Sequence, residues 1–269
     1  MASPPFPTQR MLGIDFFTGT PAEAIAYISK RGGLVIAPAA PSFIALQDDP
    51  DWGPAIANAD LAIADSGWAV LFWRLLQREK ITRISGLALF KALLETAQAR
   101  ISGNLFWILP SEKAKTKALE FAQVEGYPTT PDDCYVAPKY QRSEVRDQRS
   151  AGSAAGRGFE DLKLVSILEQ RKPNHIIVGI GGGMQDKLGS YLKRSLSYRP
   201  AIYCIGAAPG FVTGDQVAIP MWADRFFVGW IFRLLTQPRT LLPRLWSARR
   251  LPGMMVKYGR EMPPVRSRN

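Results

Sequence analysis

The segment Ala59-Asp60-Leu61-Ala62-Ile63-Ala64-Asp65-Ser66-Gly67-Trp68 puts a carboxylate at the end of a short apolar run and then turns into an apolar helix. If the run is a buried strand of an open α/β sheet, Asp65 stands at its carboxyl end, the side on which such sheets bind ligands. A carboxylate aimed there at a substrate hydroxyl can act as a general base. The alternative is a helix cap, because Asp and Ser both favour that position. Arg83, in Thr82-Arg83-Ile84-Ser85-Gly86, precedes a second helix and offers either a bidentate phosphate clamp or an exposed loop charge. The run Val178-Gly179-Ile180-Gly181-Gly182-Gly183-Met184-Gln185 leaves a strand and opens a helix, so its backbone N–H groups can approach an anion. It lacks a small residue at the third glycine position of a dinucleotide fingerprint, and no ribose-binding acid follows at about twenty residues. A diphosphate or sugar-nucleotide contact fits it better than a nicotinamide cofactor.

Other chemistries find little support. The single histidine, His175, precedes the apolar run Ile176-Ile177-Val178 and reads as structural, which removes a Ser-His-Asp triad. Cys134 and Cys204 lie far apart, form no CxxC pair and suggest a reducing compartment. Asp49-Pro50-Asp51 has the form of a metal-holding Asp-x-Asp, but no strand precedes it, so neither a metal nor a cofactor is expected.

These groups need elements to hold them. At 269 residues with 46% hydrophobic content, the chain suits one large α/β domain, or one domain with an appendage. Residues 1–12 read as a loosely attached lead without the pattern of a signal peptide. Helices are expected at Pro21–Arg31, from Ser42, shortly before Leu61, at Trp68–Leu76, Leu87–Arg100, Glu112–Glu125, Glu160–Gln170 and Met184–Ser195. Strands are expected at Leu34–Ala37, Leu61–Ala64, Leu105–Leu109, near Tyr135-Val136, at His175–Ile180 and at Ala201–Ile205. Ser150–Gly158 reads as a flexible loop. The alternation predicts a Rossmann-like, mostly parallel sheet with helices on both faces.

The charge is uneven. Of the net +11, the stretch 221–269 carries +8, from ten Lys/Arg against two acids. Phe226, Phe227, Trp230, Ile231 and Leu234 share one helical stripe flanked by Arg225 and Arg233. That is the composition of an interfacial amphipathic helix facing anionic lipid, although a helix packed on its own domain would also have an apolar stripe. The boundaries expected are a domain over 13–219 and a basic helical appendage over 220–269. No window reaches the ~20 apolar residues of a spanning helix. Nucleic acid is disfavoured, because the cations cluster with large apolar residues.

In this order, Ala59-Asp60-Leu61…Asp65-x-Gly67, Arg83-Ile-Ser-Gly86, Val178-Gly-x-Gly…Gln185, Ile205-Gly206 and Pro220-x-Trp222…Trp230-Ile-Phe-Arg233-Leu-Leu-Thr-Gln-Pro238-Arg239 resemble the WecG/TagA/CpsF glycosyltransferase family (glycosyltransferase family 26), over roughly residues 13–250. The resemblance implies an inverting, metal-independent transferase at the cytoplasmic membrane face. It would move a hexose or N-acetylhexosamine from a UDP-sugar onto a polyprenyl-diphosphate-linked sugar in surface polysaccharide synthesis. It gives Asp65 the role of base. Arg83, Gly181, Gly182 and Gln185 take substrate-binding roles, and Arg233, Arg239 and Arg244 meet membrane and diphosphate. The family's Thr-x-Asn after its first strand reads Ala37-Pro38-Ala39 here, and its Asp-Gly reads Asp65-Ser66. Its Gly-x-Phe-Asp reads Gly210-Phe211-Val212, and a Glu before the tryptophan reads Gly229. This marks a divergent branch, with glucose as open a donor as N-acetylmannosamine. A non-catalytic scaffold or regulator on the same fold is the alternative, and a homo-oligomer is left open.

Overall fold

The computed structural model describes residues 6–140, 158–181, 183–216, 242, 246 and 248–266. The sheet is built from β1 (Thr8–Met11), β2 (Ile14–Phe17), β3 (Gly33–Ile36), β4 (Leu61–Ala62), β5 (Leu105–Leu109), β6 (Cys134–Val136), β7 (His175–Val178) and β8 (Ala201–Cys204). Its order is β1-β2-β4-β3-β8-β7-β5-β6, and every pairing except the β1–β2 hairpin is parallel. The central strands β3, β5, β7 and β8 are buried at every residue, as strands covered on both faces must be.

Helices α1 (Pro21–Arg31), α5 (Gly86–Leu94), α6 (Glu112–Glu125) and α9 (Ala208–Thr213) cover one face. The other face carries α2 (Ala40–Asp48), α3 (Trp52–Ala57), α4 (Gly67–Gln77), α7 (Leu162–Arg171), α8 (Met184–Ser195) and α10 (Leu251–Tyr258). Local signals set several of these boundaries. Thr20 and Glu23 form a reciprocal capping box ahead of Pro21, and Ser111 accepts from the Ala114 N–H to start α6.

Two expectations need correction. Residues 1–12 are not a loose lead throughout. Thr8–Met11 pairs with β2, and Met11 and Leu12 are fully buried. The hairpin turns on Leu12 (φ +50°) and Gly13 (φ +80°), whose N–H groups donate to the carbonyls of Gly259 and Arg260 at 2.9 Å each. The reading missed this because the covering segment lies at the far end of the chain. In addition, the helix expected to run to Arg100 ends at Leu94. Thr96 leaves helical geometry and its hydroxyl takes the Leu93 carbonyl at 2.7 Å, after which Ala97–Arg100 form a 3₁₀ turn.

Ala248, Leu251, Met254 and Met255 join the core beside α4 and α2, so the last part of the stretch expected as an appendage packs on the α/β body. The loop 150–157 and the stripe Phe226–Leu234 lie outside the described residues.

Candidate active site

Because β2 to β8 run in parallel, their carboxyl ends form one edge of the sheet, and Asp65, the glycine turn and Ile205-Gly206 all follow strands on it. β4 ends early. Beyond it Ala64 pairs in parallel with Arg83, which draws the connection before α5 against the strand end. The Asp65 Oδ1 accepts from the Gly86 N–H at 2.9 Å, the first residue of α5, and Arg83 Nε donates to the Asp65 carbonyl at 3.0 Å. Asp65 is therefore not the cap of α4. Ser66 is, through its hydroxyl and the Ala69 N–H at 3.3 Å. Ser85 caps α5 in the same way. The Asp65 carboxylate thus meets the positive end of a helix dipole, where an anion is favoured.

The edge continues from Asp65 toward the glycine turn through close approaches. A Cβ on Gly86 would lie 3.1 Å from the Ile205 carbonyl oxygen, and one on Gly206 would lie 3.4 Å from Gln185 Oε1. Gln185 is buried, donates Nε2–H to the Cys204 carbonyl at 3.2 Å, and has an Oε1 without a partner among the described residues. β4 and β8 are separated by β3 alone, so at ~4.8 Å per strand their carboxyl ends are on the order of 10 Å apart, with Asp65 beyond the first and Gln185 bonded to the Cys204 carbonyl at the second. That span suits a sugar and its leaving group.

Gly181 (φ +97°) and Gly183 (φ +85°) occupy backbone conformations that disfavour side chains, and Gly183 leads into α8. Gly182 lies outside the described residues, as do Arg233, Arg239 and Arg244. Arg83 is half-buried, with its Nε on the Asp65 backbone.

Sequence reasoning missed the polar seam that holds α8. Asp186, Lys187 and Ser190 are buried on this helix. Asp186 Oδ2 accepts from Trp52 Nε1–H at 3.2 Å, and Lys187 Nζ pairs with Asp49 at 2.6 Å. Asn58 Nδ2 donates to the Ser190 hydroxyl at 3.0 Å. Burial pushes the Asp186 carboxyl up to about 7 against the opposing pull of the Trp52 N–H. The Asp-x-Asp segment therefore braces α8, and Asp49 is engaged by Lys187. Among the described residues no His/Cys/Asp/Glu group could hold a metal ion.

His175 lies at the amino end of β7, away from this edge, against the Tyr203 hydroxyl at 3.0 Å, and burial lowers its pKa to about 4. Burial also raises both thiols, Cys134 to about 12 and Cys204 well above its ordinary value, so neither supplies a thiolate at neutral pH.

The sequence profile of the glycosyl transferase WecG/TagA/CpsF family matches residues 9–266. The chain belongs to this family. No curated protein matches it. As a WecG/TagA/CpsF glycosyltransferase, the chain works on a sugar donor and an acceptor, and its α/β sheet is the scaffold on which both must meet. No helix among the described residues is long and apolar enough to cross a membrane.

Proposed function

We propose that the chain is an inverting glycosyltransferase of surface polysaccharide synthesis, moving a hexose or N-acetylhexosamine from a UDP-sugar to a polyprenyl-diphosphate-linked sugar. The observation that carries this reading is Asp65 at a parallel-strand end, its carboxylate on the Gly86 N–H and its carbonyl on Arg83. In the step envisaged, Asp65 takes the proton of the acceptor hydroxyl as that oxygen attacks the anomeric carbon. The carbon–oxygen bond to UDP breaks, and UDP leaves with the electron pair. Gly181, Gly182 and Gln185 would hold the donor diphosphate and sugar, with N–H groups and the dipole of α8 favouring the departing charge. Arg83 would bind substrate from its place beside Asp65. Arg233, Arg239 and Arg244, in the stretch that precedes α10, would meet the acceptor diphosphate and the inner face of the membrane. No metal or cofactor is invoked.

Asp65→Asn keeps the shape and the acceptor oxygen for Gly86 but removes the base. Transfer from UDP-sugars is expected to fall about 10²–10⁴-fold while the thermal shift given by UDP persists. Undiminished turnover would remove Asp65 from the mechanism. A parent protein with neither UDP binding nor transfer would favour a scaffold, the reading suggested by Ala37-Pro38-Ala39 where the family carries Thr-x-Asn.

A further inference from the structure

Helix α4 starts directly after Asp65 and reads Gly-Trp-Ala-Val-Leu-Phe-Trp-Arg-Leu-Leu-Gln. Ala69, Val70 and Trp73 are buried against the sheet and α10. The opposite stripe is as apolar as the buried one. Leu71 is 39%, Leu75 65% and Leu76 40% exposed, beside half-buried Trp68 and Phe72, whose rings are 4.9 Å apart. A surface helix of a soluble body normally turns polar residues outward, and one that is apolar all round marks a second covering partner. Eleven residues extend only about 16 Å, far short of a bilayer core, so the partner is met in the plane of its surface rather than spanned.

The charge around the stripe selects that partner. Arg78, in left-handed geometry, ends α4, and exposed Lys80 follows. Gln77 Nε2 donates to the Met255 carbonyl at 2.8 Å, which brings α10 and its exposed Lys257 alongside. Of the acids at this end, Glu79 is paired with Arg260 at 2.6 Å and exposed Glu261 follows Arg260, so Arg78, Lys80, Lys257 and Arg260 still outnumber them. A second copy seated by two-fold symmetry would press this cationic rim against itself. Anionic headgroups would take the cations while the leucines enter the boundary beneath them.

We propose that the outer face of α4, with the cations at its carboxyl end, is a lipid-docking surface for an anionic bilayer, distinct from the Phe226–Leu234 stripe, that seats the Asp65 strand end at headgroup level. The inference deepens the reading of a lipid-linked acceptor and rests on it for its purpose, although the surface itself is defined by the apolar stripe of α4 and the cations around its carboxyl end.

The test uses the full chain with phosphatidylglycerol–phosphatidylcholine vesicles, and phosphatidylcholine vesicles as the uncharged control. Leu71→Gln with Leu75→Gln is expected to lower co-sedimentation with the anionic vesicles at least about tenfold. Arg78→Glu with Lys80→Glu lowers it in the same direction. Val124→Gln, at an 82% exposed apolar position on the other face, leaves it unchanged. A cooperative thermal melt within a few degrees of the parent's, without added ligand, shows that each variant is folded. A fluorophore on Leu75→Cys, with both native thiols buried, should shift its emission to the blue on anionic vesicles. Unaltered vesicle binding by the leucine variant, or an unmoved fluorophore, overturns the proposal. So does a parent dimer that the leucine variant dissociates without any vesicle binding. A parent that binds vesicles through α4 but shows no UDP shift supports the surface and sinks the donor reading instead.

Discussion

Two aspartates five positions apart divide the labour of the strand between them. Asp60, at the amino end of β4, accepts from the Leu34 N–H at 2.7 Å and pairs with Lys193 at 2.7 Å and Arg199 at 2.8 Å. It is a brace between β4, β3 and the α8–β8 connection. Asp65, past the carboxyl end, is held by a helix-start N–H and faces the edge where parallel sheets bind ligands. The same logic separates His175 from the chemistry and predicts how it titrates. Its pKa is about 4 in the fold against an ordinary 6.5, so the unfolded chain takes up the proton first. Stability should therefore fall as pH drops from 6.5 to 4, by up to about 3 kcal/mol. Asp186 acts with the opposite sign in an overlapping window, so the net slope of the parent mixes the two. His175→Gln isolates the imidazole, because the chain has no other histidine. Urea melts across this range should show the difference between parent and variant narrowing as pH falls. Parallel curves would mean that the imidazole is not kept neutral by the fold.

At the scale of elements, the sequence announces a helix where its capping chemistry is local. Glu112–Glu125 and Met184–Ser195 were both expected with the boundaries observed, as was the strand Leu105–Leu109, because Ser111, the glycine turn and an unbroken apolar run are adjacent to what they delimit. The residues that hold α8 were not legible. Asp186, Lys187 and Ser190 have the polarity of an exposed face, and only the packing of α3 against α8 shows that their partners are Trp52, Asp49 and Asn58. Asp65 could be picked out by its place after an apolar run and Gln185 by the family resemblance, whereas the approaches of Gly86 to Asp65 and Ile205 and of Gly206 to Gln185 could not. The α3–α8 seam makes a prediction of its own. Trp52 is fully buried, and Trp52→Phe leaves a void and removes the donor to Asp186. At pH 5 the carboxyl is protonated and the loss should be about 1–3 kcal/mol, mostly from packing. At pH 8, above its pKa of about 7, the lost hydrogen bond was to a carboxylate, and a further loss of about 1 kcal/mol is expected. Equal losses at the two pH values would show that the indole N–H does not support the charged form.

For the whole molecule, the two ends of the chain complete one face of the fold. The sequence read residues 1–12 as a loose lead, because they show no apolar period, and 220–269 as an appendage, because its cations cluster beside an amphipathic stripe. Each supplies what the other lacks. The β1–β2 hairpin offers the N–H groups of Leu12 and Gly13, and the residues after α10 offer the carbonyls of Gly259 and Arg260. Arg266 N–H reaches the Gln47 carbonyl at 2.9 Å, and Arg250 pairs with Asp48 at 3.1 Å, tying the same segment to α2. Contacts this distant in sequence have no signature in composition or periodicity. Gly13 is where the closure is most exposed to a single change. It sits at φ +80°, and a Cβ there would fall 2.6 Å from Met262 Cβ and 2.7 Å from Met262 Cα. Gly13→Ala should therefore cost about 3 kcal/mol, part from the backbone conformation and part from displacing residues 259–262. Because that displacement frees residues 259–262 from the hairpin before the sheet opens, limited proteolysis should cut the variant first between residues 248 and 266. Glycine-dependent closure would be refuted if the variant kept the parent's melting temperature and its cleavage pattern.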